Sequence, residues 1–364
     1  MGNSYHLLIV QIIIYYFPLF YYNKIMFEIV KNRALAPQTT FKIGPAAEFF
    51  AVIKSRANLL AAISWAKKNK QPIFVLGHGS NVLISRKIKG LVLKNEIRGL
   101  AVLEKKDDYA LVEAKSGESW TRFVDFAVGR GLYGLENLFL IYGTVGAAPV
   151  QNIGAYGVEL KDVFYHLKAI DLKTGHEKIF SRRDCRFGYR DSVFKGRLRG
   201  RYFIYALTVK LKRRPDFNLS YGPLRDKLAK ANVKAPTARD IIRAITEIRN
   251  SKLPNPALLP NAGSFFKNAT VGRTQFWRLR RKYPDLPSWP AGEGKIKIPA
   301  AWLIEAAGFK GKRFGPVSMY KKQALVLVNH GRAEAKHVLA LAKKVKAAVK
   351  KKFAIDLEEE VNVI

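Results

Sequence analysis

Apolar positions at helical spacing and short apolar runs follow one another along most of this chain. Residues 55–68 are mostly helix-forming, with apolar positions at Leu59, Leu60 and Ile63, which predicts a helix. The apolar run Ile73–Leu76 predicts a buried strand. The same two patterns predict further helices at 119–129, 239–249 and 300–307, and further strands at 82–84, 91–93, 166–171, 202–211 and 324–328.

Helix-breaking residues divide the chain into more than one domain. The segment Lys252-Leu-Pro-Asn-Pro256 carries two prolines that cannot continue a helix, so the helix predicted at 239–249 closes there. The 364 residues are enough for two or three domains and a sizeable core. The sequence therefore predicts an α+β protein with at least two domains and a boundary near 214–260.

The stretch 336–352 combines an apolar face with a dense group of lysines. Val338, Leu341, Ala342 and Val345 recur at helical spacing, and seven lysines lie within the same stretch. This pattern predicts one amphipathic helix whose basic outer face is solvated.

The overall charge is strongly positive. The chain has 64 Lys and Arg residues against 28 Asp and Glu residues, a net charge of +36. Such a field attracts polyanions, which include nucleic acid, anionic lipid and phosphorylated small molecules. Because no zinc finger, arginine-rich tail or aromatic RNA-binding signature accompanies the charge, a basic nucleic-acid-binding protein is a rival hypothesis and not the favoured one.

The cysteine and histidine content indicates a reducing compartment and no metal. Cys185 is the only cysteine, so no intramolecular disulfide forms, and the six histidines show no metal-ligand spacing. We expect a cytoplasmic protein. Residues 7–22 are almost wholly apolar, but they are shorter than the ~20 residues of a membrane helix and lack the basic start of a secretory signal. Residues 1–25 are either outside the working protein, with Met26 as its start, or a weak membrane anchor, or packed on the fold.

Two glycine-rich loops are candidate phosphate-binding segments. Gly77-His-Gly-Ser-Asn81 follows a predicted strand, but Val82 stands where a dinucleotide-binding fingerprint needs a helix start. The longer loop at 143–157 leaves much backbone open to a partner, and its Gln151 and Asn152 both donate and accept hydrogen bonds. Either loop could cradle phosphate with backbone N–H groups, and either could be a set of tight turns.

The segment Asn261-Ala-Gly-Ser-Phe-Phe-Lys-Asn268 displays a serine among small residues. Gly263 can adopt backbone angles that other residues avoid, and the two phenylalanines can bury their rings on either side of the loop. Ser264 could then present its hydroxyl to a ligand. From local sequence alone, an ordinary turn explains the segment equally well.

Six motifs occur in one order between Thr39 and the C-terminus. They are Gly77-x-Gly-Ser-Asn81, Gly134-Leu-Glu-Asn137, Pro149-Val-Gln-Asn-Ile-Gly-Ala-Tyr-Gly157, Cys185-Arg-Phe-Gly-Tyr-Arg-Asp-Ser192, Lys252-Leu-Pro-Asn-Pro256 and Asn261-Ala-Gly-Ser-Phe-Phe-Lys-Asn268. Together they resemble the UDP-N-acetylenolpyruvoylglucosamine reductase (UDP-N-acetylmuramate dehydrogenase) family. Leu219-Ser-Tyr-Gly222 further resembles the longer subtype, whose tyrosine closes over the substrate.

The resemblance implies a two-lobed FAD-binding fold of the vanillyl-alcohol-oxidase/PCMH type and a C-terminal α+β substrate domain. We expect an apolar extension at 1–25, FAD-binding lobes at 26–94 and 95–213, an insertion and linker at 214–260, and a substrate-binding domain at 261–364 whose last segment returns to the active site. It also implies that NADPH reduces bound FAD, which then reduces the enolpyruvyl group of a UDP-sugar during peptidoglycan precursor synthesis. Nucleic acid is not an expected partner, and a membrane is one only if residues 1–25 belong to the working protein.

The resemblance also implies roles for individual residues. The catalytic residues are Arg190, which binds the developing carboxylate charge, Ser264, which supplies the proton, and Glu360. Because Glu360 beside a substrate carboxylate would repel it when ionised, we expect a raised pKa there unless a donor bridges the two groups. Lys267 or Lys252 could make the serine hydroxyl acidic enough. The implied cofactor-binding residues are Gly77, Gly79, Ser80, Asn81, Gly143, Val145, Gly146, Gln151, Asn152, Gly154, Ala155, Tyr156 and Gly157, and the implied substrate-binding residues are Tyr221, Lys252, Asn268 and Gln323.

Four positions depart from the family pattern. Tyr142, Ala269 and Glu359 stand where the family usually has proline, and Thr39 stands where its Asn-Thr-Phe start has asparagine. A rival enzyme hypothesis is another FAD-dependent oxidoreductase of the same fold with a different substrate. The order of the motifs, more than any single residue, favours the reductase.

Overall fold

The first described region is a mixed sheet flanked by one helix. The computed structural model describes residues 28–364, and the predicted extension at 1–25 lies outside them. The elements of this region are β1 (Val30–Ala34), β2 (Ala46–Ile53), α1 (Arg56–Lys68), β3 (Ile73–Leu76), β4 (Val82–Leu83) and β5 (Ile88–Asn95).

The sheet of this region has the order β1-β2-β5-β3, in which β2 and β3 run parallel to β5 and β1 runs antiparallel to β2. Helix α1 begins at Ser55, whose hydroxyl accepts the Asn58 backbone N–H at 3.0 Å. This is the usual way in which a serine satisfies an unpaired donor in the first turn of a helix. Leu59 and Ile63 are buried on the sheet side of α1, as the apolar spacing predicts.

The second region is a five-stranded antiparallel sheet in the order β11-β10-β12-β7-β6. Helix α2 and the short turns of the longer glycine loop pack over it and form the largest core of the described residues. The elements are β6 (Leu100–Lys105), β7 (Tyr109–Lys115), α2 (Trp120–Val128), β8 (Gly154–Ala155), β9 (Val158–Glu159), β10 (Phe164–Asp171), β11 (Glu177–Ser181), α3 (Arg182–Cys185) and β12 (Tyr202–Lys212), with 3-10 turns at Glu136–Leu138, Val145–Gln151 and Leu160–Asp162.

Two helices, α4 (Gly222–Lys230) and α5 (Ala238–Lys252), follow the second sheet. Helix α5 begins with a reciprocal cap in which Thr237 and Asp240 bond each other's backbone N–H groups. It ends just before Pro254, as the proline rule predicts. The two helices pack on each other through a small apolar cluster that Tyr156 also joins.

The last region carries two small antiparallel sheets, in the orders β13-β19-β18-β17 and β14-β16-β15, with three helices around them. The elements are β13 (Asn261–Ser264), β14 (Ala269–Gly272), α6 (Arg273–Lys282), β15 (Trp289–Pro290), β16 (Lys295–Ile298), α7 (Ala300–Ala306), β17 (Arg313–Phe314), β18 (Val317–Met319), β19 (Val326–Asn329), α8 (Ala335–Phe353) and β20 (Asn362–Val363).

The chain end returns to the first region. Strand β20 pairs in parallel with β4, and the Ser85 backbone N–H donates to the Ile364 carbonyl at 2.7 Å. The short apolar run at 82–84 forms a strand, as predicted, but its pairing partner is the distant β20, which local sequence does not reveal. This closure fixes the residues just before β20 against the loop after β3.

The helices and strands predicted from the pattern are confirmed, with ends that differ by a few residues. The prediction that the strand at 73–76 is buried is wrong, because β3 is the edge strand of its sheet and leaves Phe74 and Val75 37% and 41% exposed. The basic helix is α8, and its apolar positions are buried. Several of its lysines pair with acidic residues, as Lys346 does with Glu359 at 2.9 Å. No helix among residues 28–364 has the length and apolar character needed to cross a membrane.

The only cysteine of the chain will resist thiol reagents in the folded protein. Cys185 is fully buried at the end of α3, and burial raises the pKa of its thiol to about 12. Because the thiolate is the reactive form, we expect alkylation at pH 8 to be at least ~10³-fold slower in the native protein than in urea. Iodoacetamide labelling followed by intact mass checks this, and rapid labelling of the native protein would contradict the buried placement.

Candidate functional site

Three adjoining cavities form one continuous cleft between the regions of the fold. The inner cleft lies between the loop after β3 and the longer glycine loop, the central cavity lies against β13, and the outer cavity lies against β8, β9 and β16. Ser80, Asn81 and Gln151 line both the inner cleft and the central cavity. Gly154 and Arg190 line both the central and the outer cavity.

Strand β13 places Ser264 on the central cavity. Its backbone pairs with Val326 of β19, so the end of the strand is fixed while the side chain stays partly exposed. Gly263 has φ +72°, a left-handed conformation that glycine adopts without strain. Asn261 holds this turn because its side-chain oxygen accepts the Gly263 N–H at 2.9 Å.

Arg190 and Glu360 meet on the same cavity as Ser264. The Arg190 Nε lies 3.0 Å from Glu360 Oε1, and the two side chains are only 18% and 15% exposed. Arg190 also donates from Nη2 to the Gly154 carbonyl at 2.5 Å. Its backbone has φ +52°, which costs a non-glycine residue energy and occurs most often at functional sites.

The backbone around Ser264 sets the position of Glu360. The Glu360 N–H donates to the Phe265 carbonyl at 2.8 Å, and Phe266 bridges to Glu359. Glu359, at the family's proline position, pairs with Lys346 and leaves Glu360 facing the cavity.

Burial raises the pKa of Glu360, although the neighbouring Arg190 opposes that shift. The expected direction is therefore confirmed. The geometry also supplies the bridging donor that the sequence left as an alternative, because Arg190 contacts Glu360 through Nε. A guanidinium fixed by a carboxylate on one edge can direct its remaining donors toward an incoming anion.

The two lysines expected to activate Ser264 lie elsewhere. Lys267 pairs with Glu358 at 3.0 Å, and Lys252 is exposed at the end of α5 and lines none of the three cavities. Arg249, one turn earlier in α5, lines the central cavity with Ser264. The substrate contact predicted for Lys252 stays a prediction.

The inner cleft has the backbone geometry of a cofactor cradle. A Cβ at Gly77 would meet Thr144 Oγ1 at 2.6 Å, and one at Gly79 would meet the Gln38 carbonyl at 2.4 Å. Only glycine fits at both positions, so the backbone N–H groups stay open to a ligand. Thr144 Oγ1 is buried here without a hydrogen-bond partner among the described residues, and Thr144 lines the cleft. These features fit the diphosphate and ring edges of FAD.

The predicted cofactor residues divide into those on the cavity walls and those behind them. Asn152, Val145 and Gly146 lie behind the wall, where Asn152 donates to Glu159 and to the Gly188 carbonyl, each at 3.0 Å. These three residues shape the loop. The other predicted cofactor residues line at least one cavity, and they are Gly77, Gly79, Ser80, Asn81, Gly143, Gln151, Gly154, Ala155, Tyr156 and Gly157.

The outer cavity collects three of the four predicted substrate residues, Tyr221, Asn268 and Gln323. Tyr221 meets Tyr156 edge to face, with ring centroids 5.2 Å apart. Burial raises the pKa of both tyrosines, which keeps their hydroxyls protonated and able to donate.

Sequence reasoning missed several polar and charged cavity residues, among them Arg249, Thr40, Tyr189 and Lys297. Arg249 and Thr40 line the central cavity, and Thr40 donates from its hydroxyl to the Asn261 carbonyl at 2.7 Å. Tyr189 and Lys297 line the outer cavity, where the Lys297 ammonium lies 3.5 Å from the Tyr189 ring centre. Tyr189 is beside Arg190 in the sequence, which was an available signal, whereas Lys297 gave none.

Similarity to named reductases decides the family. A family model described as the C-terminal domain of UDP-N-acetylenolpyruvoylglucosamine reductase matches residues 255–364, and a model described as an FAD binding domain matches 47–180. The reductase of that name from Pseudomonas aeruginosa is 47% identical over 92% of this chain and 99% of its own length. The chain belongs to the UDP-N-acetylenolpyruvoylglucosamine reductase family. The Chromobacterium violaceum reductase is 46% identical over 90% of this chain and 96% of its own length.

A solved reductase supports the same fold. The UDP-N-acetylenolpyruvylglucosamine reductase of Thermus caldophilus superposes with a TM-score of 0.63 at 23% identity, covering 93% of this chain and 98% of that one. The expected fold, a two-lobed FAD-binding fold of the vanillyl-alcohol-oxidase/PCMH type with a C-terminal α+β domain, is confirmed. In this chain the mixed sheet and the five-stranded antiparallel sheet form the FAD-binding part of the fold, and the two small sheets form the C-terminal domain.

Proposed function

We propose that this chain reduces UDP-N-acetylglucosamine enolpyruvate to UDP-N-acetylmuramate with NADPH, through bound FAD, in peptidoglycan precursor synthesis. The observation that carries the proposal is that Ser264, Arg190 and Glu360 line one cavity although they lie far apart in the sequence. That cavity joins a cofactor cradle on one side and an outer cavity with cations and tyrosines on the other. FAD in the inner cleft would supply the hydride, taken from NADPH, that reduces the enolpyruvyl double bond.

Arg190 binds the substrate carboxylate. Addition of hydride to an enol ether conjugated with a carboxylate moves negative charge onto that carboxylate. A guanidinium already fixed by Glu360 and the Gly154 carbonyl stabilises this charge with little reorganisation. Glu360 orients the guanidinium through its contact with the Arg190 Nε.

Ser264 donates the proton to the carbon beside the carboxylate, where negative charge develops once the hydride has been added to the other carbon of the double bond. A serine hydroxyl is a weak acid, so the alkoxide that forms needs nearby positive charge. Arg190 and Arg249 line the same cavity and supply it. Both arginines already lie at the cavity, as Ser264 does at the fixed end of β13, so no residue has to move before the proton is transferred.

The remaining expectations belong to the same proposal. The domain limits are 26–94, 95–213, 214–260 and 261–364, Lys252 contacts the UDP-sugar diphosphate, and the protein works in the cytoplasm without a nucleic-acid partner. The paired lysines of α8 support this view, because Lys336, Lys346 and Lys350 each face an acidic residue and so do not form an open basic stripe.

Anaerobic spectroscopy of the purified protein tests the proposed function. We expect yellow protein whose flavin absorbance is bleached by NADPH and restored by UDP-N-acetylglucosamine enolpyruvate. Bleaching without restoration would indicate another oxidoreductase of this fold. Colourless protein that binds DNA with a steep dependence on salt would favour the nucleic-acid hypothesis.

A further inference from the structure

Asn137 joins two loops that border the outer cavity. Its side chain is fully buried in the 3-10 turn Glu136–Leu138. The Nδ2 donates to the Tyr156 carbonyl and to the Asn218 carbonyl, each at 2.8 Å. Both N–H groups of the Asn137 side chain therefore bond to backbone carbonyls. One carbonyl lies in the longer glycine loop at 143–157, called the flavin loop below, and the other lies in the segment that leads to Tyr221.

The two segments are also joined directly. Asn218 donates from Nδ2 to the Gly157 carbonyl at 3.1 Å, and its Oδ1 accepts the Ser220 N–H at 3.0 Å. A Cβ at Gly157 would lie 3.1 Å from Ser220 Oγ, so glycine is what allows the close approach. One network therefore runs from Asn137 through Asn218 to the residue before Tyr221.

The Asn137 side chain is costly for a purely structural residue. Its Oδ1 is buried and has no hydrogen-bond partner among residues 28–364. A buried polar atom without a partner is destabilising, and its persistence in a folded protein calls for an explanation. The two hydrogen bonds that Nδ2 donates explain why asparagine stands here. An apolar residue of similar size would fill the space but would release both loops.

Tyr156 and Tyr221 show what the network positions. Their rings meet edge to face on the wall of the outer cavity, and Tyr156 has φ +50°, a strained backbone that must be held. Tyr221 is 42% exposed and directly precedes α4, so little packing fixes its ring apart from Tyr156.

We propose that Asn137 is a positioning residue for substrate binding, which holds the loop that carries Tyr221 against the flavin loop. The inference rests on the proposed function, because it assigns the UDP-sugar to the outer cavity. Asn137 does not line that cavity and acts only through the two loops.

Asn137→Asp keeps the shape of the side chain but removes both donors, and Asn137→Ser is a second, uncharged variant. We expect either change to raise KM for the enolpyruvyl UDP-sugar about tenfold, the factor that 1.4 kcal/mol produces, with kcat within about twofold. In a Tyr221→Ala background the same changes should raise KM less than about twofold. Equal increases in both backgrounds, or an unchanged KM, would overturn the proposal.

Trypsin cleavage supplies a readout that needs no turnover. Arg213 and Arg225 flank the Tyr221 loop, so its release should speed cleavage there about tenfold in the Asn137 variants, whereas Arg214 precedes Pro215 and is not a cleavage site. The matched control is Asn329→Asp, another buried amide that donates to a distant carbonyl, that of Phe41 at 3.0 Å. It should leave loop cleavage and KM unchanged. If wild-type protein does not reduce the substrate, the proposed function fails, whereas unchanged cleavage in the Asn137 variants rejects the role of Asn137 alone.

Discussion

Replacing Ser264 with alanine will slow steady-state turnover at least ~10²-fold, the lower end of what a positioned acid contributes. The change removes one oxygen from a partly exposed side chain at the end of β13 and leaves the backbone pairing with Val326 in place. Flavin content should not change, because Ser264 lines the central cavity and not the inner cleft. Turnover with saturating NADPH and UDP-sugar measures the effect.

Ser318→Ala is the matched control. Ser318 lies in β18 of the same sheet, and its hydroxyl is 2.8 Å from His330 Nε2. It lines none of the three cavities, so we expect turnover within about threefold of wild type. If the two variants lost similar activity, or if Ser264→Ala lost its flavin, Ser264 would be a structural residue and not a proton donor.

Replacing Arg190 with methionine will lower turnover about 10²- to 10³-fold, the range observed when one donor to a developing anion is removed. Methionine keeps much of the side-chain length but provides no charge for the substrate carboxylate. It also leaves the buried Glu360 carboxyl without the Arg190 guanidinium that lies 3.0 Å away. Steady-state kinetics on flavin-loaded protein checks the loss.

The control for Arg190 lies four residues earlier, in the turn that ends α3. Arg186 also has a left-handed backbone, with φ +47° against +52° for Arg190, but its side chain is exposed and lines none of the three cavities. Arg186→Met should keep wild-type turnover within about threefold. A loss as large as that of Arg190→Met would mean that the backbone conformation of residues 186–190, and not the guanidinium at the cavity, determines turnover.

The Arg190 variant should also change the pH dependence of stability. Without the guanidinium, burial raises the pKa of Glu360 further, so the folded protein holds that proton more tightly than the unfolded chain does. The free energy of unfolding then falls as pH rises from 4.5, the ordinary value, toward the raised one. Urea unfolding between pH 4 and pH 7 should show a steeper fall for Arg190→Met than for Arg186→Met.

Local sequence was sufficient where local chemistry decides the structure. Helix α1 begins at Ser55 because a serine hydroxyl caps the first turn, and α5 ends before Pro254 because proline cannot continue a helix. The motif order identified the family and placed Ser264, Arg190 and Glu360 together. The direction of the Glu360 pKa shift was predicted from repulsion by a substrate carboxylate, whereas burial is its cause in the structure.

Features that depend on distant pairing could not be predicted. Glu360 faces the cavity because its N–H bonds to the Phe265 carbonyl and because β20 pairs with β4. Arg249 lines the cavity while Lys252 does not, since one turn of α5 separates them. The two carbonyls that Asn137 binds belong to loops remote from it in the sequence, and its motif showed no sign of them.

Anaerobic stopped-flow measurement of the two half-reactions in Ser264→Ala tests the central claim most directly, namely that Ser264 donates the proton during reduction of the enolpyruvyl group. Bleaching of the flavin absorbance by NADPH involves no proton transfer to the substrate carbon, so its rate should stay within about threefold of wild type. Recovery of the absorbance on adding UDP-N-acetylglucosamine enolpyruvate should be at least ~10²-fold slower. An equal loss in both half-reactions, or a normal rate of recovery, would contradict the account.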